Sequence, residues 1–181
     1  MPLGESDFRA LLDVDGLLAP HHEMALAFPA TTSAFTVFSQ RGDARIDAAE
    51  WSRHAERFLA TRIGLTVDKT YDTRVPQRDI ARVVLAPKRE GEGGAGTRVC
   101  WGRPRTEEDL LVARGAASVG AGLLELATRC PQVWLVEVEG DDDVVALRLA
   151  TILAGVMLGP ILGPGSGTLF GPKTARGRLG L

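Results

Sequence analysis

The sequence predicts an α+β or mixed α/β domain, a single mixed sheet with helices packed on it. Three observations carry that expectation. Between Pro131 and Pro160 an apolar, β-branched run meets a glycine and three aspartates and then a strongly apolar helical stretch, the order of strand, turn and helix. Two further β-rich runs, Ile80–Ala86 and Thr97–Trp101, flank a glycine-rich loop and read as a hairpin. Segments with helical periodicity and capping spacings alternate with these strands, which favours helices layered on a sheet.

In chain order, Ser6 or Asp7 can cap a short helix carrying Phe8, Leu11 and Leu12, with Gly16 placed to end it. Pro20, His21 and His22 follow as a turn, and Ala34–Ser39 is apolar and β-branched enough for a strand. Asp47 and Glu50 have capping-box spacing. Behind them Trp51, Ala55, Phe58 and Leu59 fall on one helical face, and Gly64 is placed to end the helix. His54, four residues after Glu50, is expected to face solvent beside it. Leu65–Tyr71 alternates weakly as a strand.

The hairpin comes next, with residues 87–96 expected as a mobile loop. Thr106 and Asp109 repeat the capping spacing and predict one helix to Arg129, whose small residues would admit another backbone closely. Val133–Val138 then reads as a buried strand and Val144–Leu158 as a helix, with Leu147, Ile152 and Leu153 expected to be almost fully buried. In that helix Arg148, Thr151 and Gly155 form one narrow polar or small stripe. Residues 1–164 make one domain, and 165–181, rich in Gly and Pro with Lys173, Arg176 and Arg178, reads as an extended basic tail.

Composition excludes several classes. With 21 basic against 23 acidic residues, the net charge of −2 gives no field for nucleic acid or an anionic membrane. Cys100 and Cys130 are too few and too far apart for a disulfide framework or a zinc site, and read as reduced, partly buried thiols. The N-terminus lacks the basic and apolar regions of a signal peptide, so the protein is expected in the cytoplasm. Leu149–Gly163 is too short, at about three quarters of the roughly 20 residues a bilayer demands, to be a membrane span.

No catalytic motif is complete. The favoured reading is therefore a non-catalytic interaction or assembly protein with no cofactor, acting through its apolar C-terminal helix. Self-association or a protein partner would cover Arg148, Thr151, Ile152 and Gly155, because a helix with so narrow a polar stripe must be covered on nearly every side.

Asp141, Asp142 and Asp143 admit two readings, helix caps or a site for a cation or a basic partner. A resemblance sharpens the second. Leu11–Leu18, LLDVDGLL, resembles the first motif of the haloacid-dehalogenase-like phosphohydrolases, and Gly140–Asp143 resembles their late acidic motif. That resemblance implies a Mg²⁺-dependent phosphohydrolase in which Asp13 is the nucleophile, Asp15 the acid and base, and Asp141, Asp142 and Asp143 help hold the metal.

Overall fold

The computed structural model describes residues 33–68, 79–89, 91 and 93–181. Among them eight strands form one mixed sheet carrying five α-helices. The strands are β1 (Ala34–Ser39), β2 (Thr61–Asp68), β3 (Asp79–Pro87), β4 (Gly96–Pro104), β5 (Ala117–Val119), β6 (Gln132–Glu137), β7 (Ile161–Leu162) and β8 (Thr168–Phe170). The helices are α1 (Ala48–Leu59), α2 (Glu107–Gly115), α3 (Leu123–Arg129), α4 (Val144–Met157) and α5 (Pro172–Arg178). The sheet runs β2-β3-β4-β6-β1-β7-β8-β5. Among the described residues only the β5–β8 pair is parallel.

Strand alternation divides the core between the two faces. Val37, Trp134, Ile161 and Phe170 point under α1, α4 and α5 into the larger cluster. Phe38, Val133, Leu162 and Leu169 point the other way, onto α2 and α3. Being covered on both sides is why β1 and the heart of β6 are buried along their length and read as unbroken apolar or β-branched runs. Trp51 of α1 meets Trp134 edge to face, with ring centroids 5.3 Å apart. Gly102 lies beneath that contact, where a Cβ would come within 2.8 Å of the Trp134 ring.

The helix ends show which spacings worked. Thr106 and Asp109 form the full reciprocal box at the start of α2, and Arg103 grips the buried Asp109 carboxylate at 2.7 and 2.8 Å. At α1 only half of the box forms. Asp47 accepts from the Glu50 N–H, while the Glu50 carboxylate is taken by Arg41. Ala60, in the left-handed region at φ 46°, ends α1, and Gly64 lies inside β2.

Three expectations need correction. The single helix over Thr106–Arg129 is broken into α2, β5 and α3. Gly115 closes α2, and Gly120 and Gly122 adopt φ values of 131° and 76° that a helix cannot accommodate. The segment read as an extended tail supplies β8 and α5, because Leu169, Phe170 and Ala175 are apolar enough to be buried. Leu147 is only half-buried, although Ile152 and Leu153 are fully enclosed. The expected N-terminal helix, with Asp13, Asp15, His21 and His22, falls outside the described residues. No helix among the described residues is long and apolar enough to cross a membrane.

Candidate functional site

The acidic turn after β6 does two different jobs with three identical side chains. Gly140 at φ 77° and Asp142 at φ 53° fold the chain back on itself, so that Asp143 turns inward as the N-cap of α4. Its carboxylate accepts from the backbone N–H of Ala146 at 3.0 Å and of Glu139 at 2.8 Å. Arg98 of β4 grips it with Nε at 2.8 Å and Nη2 at 3.0 Å. Burial by itself would raise the Asp143 carboxyl, but the Arg98 guanidinium and the two backbone donors outweigh it and hold the group below its ordinary value. With both oxygens engaged, Asp143 is a structural cap and has no lone pair turned to a ligand. Asp141 and Asp142 are exposed, with no ion pair or hydrogen bond among the described residues.

Those two carboxylates stand at the rim of a cleft of about 720 Å³. Phe35, Val138 and Leu147 line it on the apolar side, and the glycine-rich loop from Gly163 to Thr168 closes the opposite wall. Arg178 of α5 also reaches the cleft, but its guanidinium is occupied, lying 4.1 Å from the Phe170 ring centre and donating to Thr168 Oγ1 at 3.3 Å. The negative charge of Asp141 and Asp142 is thus the part of the cleft that lacks a partner. The glycine-rich loop gave no signal as a wall of a site, because it enters the cleft only once β7 and β8 are paired.

The stripe on α4 is elsewhere and faces inward. Arg148 is 1% exposed and donates to Leu59 O at 3.3 Å, Thr61 Oγ1 at 2.9 Å and Gly93 O at 3.1 Å. It caps the carbonyl end of α1 and ties the β3–β4 loop to the helices. Thr151 and Ile152 are buried, and the Thr151 hydroxyl donates to Leu147 O within its own helix. At Gly155 the missing Cβ makes room for His54, whose Nε2 would lie 2.0 Å from it. His54 accordingly packs against α4 and tilts on Phe58 instead of standing in water beside Glu50. Desolvation, helped by Arg176, lowers its pKa. The chain's own α1 and α5 pack on α4, so Arg148, Thr151 and Ile152 are buried within the chain.

Neither thiol is set up as a nucleophile. Burial pushes Cys100 up to about 12 and Cys130 up to about 11, the latter despite Arg105. No group of three or more His, Cys, Asp or Glu side chains among the described residues is arranged to hold a metal ion. Whether Asp13 and Asp15 approach Asp141 and Asp142 lies outside the described residues. In the comparisons with known proteins, no family model, no curated protein and no solved structure matches this chain.

Proposed function

We propose that this is a non-catalytic binding protein that receives a lysine- or arginine-bearing segment of a protein partner in the cleft between the acidic turn and the glycine-rich loop. One observation carries the reading: two uncompensated carboxylates, Asp141 and Asp142, border an apolar wall of Phe35, Val138 and Leu147. A long basic side chain fits both parts, laying its methylenes on the apolar wall and its charged head against the rim. Location in the cytoplasm belongs to the same proposal. Its support is the pair of free, buried thiols, which suit a reducing compartment.

Titration of the full chain with short oligolysine and oligoarginine peptides tests the proposal. Binding should weaken as salt rises, because the rim charges are exposed. The double change Asp141→Asn and Asp142→Asn should weaken it about five- to tenfold while leaving the Asp143 cap in place. Peptide affinity equal in the double variant and the parent would overturn the assignment. Mg²⁺-dependent release of phosphate from an aryl phosphate ester by the full chain would overturn its non-catalytic part and favour the phosphohydrolase alternative, with Mg²⁺ as cofactor.

A further inference from the structure

The outer edge of β2 ends the sheet, and its hydrogen-bonding pattern can be read residue by residue. Lys88 N–H donates to Ala60 O at 2.8 Å, and in the β2–β3 register these two positions face each other. In an antiparallel ladder bonded and non-bonded pairs alternate. Arg62, Gly64 and Thr66 therefore spend their backbone groups on β3, whereas Ile63, Leu65 and Val67 turn N–H and C=O outward. Pro87, which has no N–H, fits this phase, because it faces Thr61 at a non-bonded position. Among the described residues no strand pairs with that edge. Edges of this length are commonly blunted by charged side chains, lysine above all, by a proline or by a bulge, and β2 carries one exposed charge of this kind, Arg62. The eight-residue β2, TRIGLTVD, contains neither Lys nor Pro, and it pairs with β3 without a bulge.

We infer that the β2 edge is a self-association surface, on which β2 of a second copy pairs antiparallel about a two-fold axis at Leu65. Among the two-fold registers this phase allows, that one engages Ile63, Leu65 and Val67 together. It sets Leu65 opposite Leu65 of the partner subunit and Ile63 opposite Val67 of the partner subunit, so every facing pair joins outward-turned backbone groups, with two hydrogen bonds per pair. Thr61 is fully buried and stays outside these bonds. The same register places Arg62 opposite Asp68 of the partner subunit, an opposite-charge pair occurring twice by symmetry. Gly64 then faces Thr66 of the partner subunit on the open side of the sheet, where a Cβ on Gly64 would meet nothing within 4 Å. This inference does not depend on the cleft, which is built from other strands.

Sedimentation of the full chain from micromolar to millimolar concentration should show a monomer–dimer equilibrium. Arg62→Asp sets like charges opposite each other and should raise the dimer dissociation constant at least about tenfold. Arg62 is exposed and has no ion partner among the described residues, so the thermal melt of the dilute monomer should not move. Facing non-bonded residues lie about 4.5 Å apart at Cα, within disulfide range. The double variant Gly64→Cys with Thr66→Cys should therefore lock into a covalent dimer under mild oxidation, and a mixture of the two single variants should do the same. The native Cys100 and Cys130 are buried and do not compete. A monomer mass at every concentration, or a dimer that the double-cysteine variant fails to lock, overturns the inference.

Discussion

Asp143 shows how one side chain can set both a helix and a loop. Its carboxylate is nearly inaccessible, at 2% of its side-chain surface, and it binds Arg98 of β4 while capping α4. Because its folded pKa lies below the unfolded one, it stabilises the fold fully above the ordinary aspartate value of about 3.9. That contribution is lost as pH falls through the lower folded value. Asp143→Asn keeps a competent cap but discards the ion pair, and should cost about 2–3 kcal/mol at neutral pH. Chemical denaturation of both proteins from pH 7 down to pH 3 should show the difference shrinking below about pH 4. A constant difference across that range would mean the Arg98 contact contributes nothing. The sequence revealed the triple aspartate but could not say which member turns inward. That choice is made by the positive φ of Gly140 and Asp142, a backbone property that composition does not encode.

At the scale of elements, α4 is held by a buried cation. Arg148 gathers two carbonyls and a hydroxyl from the end of α1, the start of β2 and the hairpin loop. Arg148→Met should leave those acceptors unsatisfied and cost about 3 kcal/mol, with Arg148→Lys falling between, since an ammonium cannot reproduce the planar fork. Urea midpoints of the three proteins would check the order. A methionine variant as stable as the parent would show that water replaces the guanidinium without loss. The polar stripe was legible before the structure, but its direction was not. A stripe of Arg, Thr and Gly looks the same in sequence whether it meets a second subunit or a neighbouring helix.

Other elements were legible for plain reasons. β1 was readable to the residue because a strand buried on both faces is mostly apolar or β-branched, with Ser39 alone breaking the run at its end, and α2 began where its capping box predicted. β5 was hidden because Ala117, Ser118 and Val119 are exposed and lack the alternation that a half-buried strand shows. The three residues Thr168, Leu169 and Phe170 were masked by the glycines around them.

The order in which the strands occur along the chain differs from their order in the sheet. β2, β3 and β4 are neighbours in both, a meander joined by short-range contacts. β1 is not. Its two flanks are β6 and β7, so Ser39 must find Gln132, and Val37 must find Ile161. A strand buried along its whole length therefore waits longest for its neighbours, while the meander can assemble early. Closing loops of that length slows the encounter, which depends on sequence separation far more than on final stability. Refolding from denaturant should then be biphasic. An early phase would quench nothing at Trp134, and a slower phase would bring the Trp51 and Trp134 fluorescence change as β6 docks on β1. Dilution should raise the yield of native protein by protecting the unpaired β1 from other chains during the wait, so this strand's late pairing makes it the chain's period of greatest exposure to aggregation.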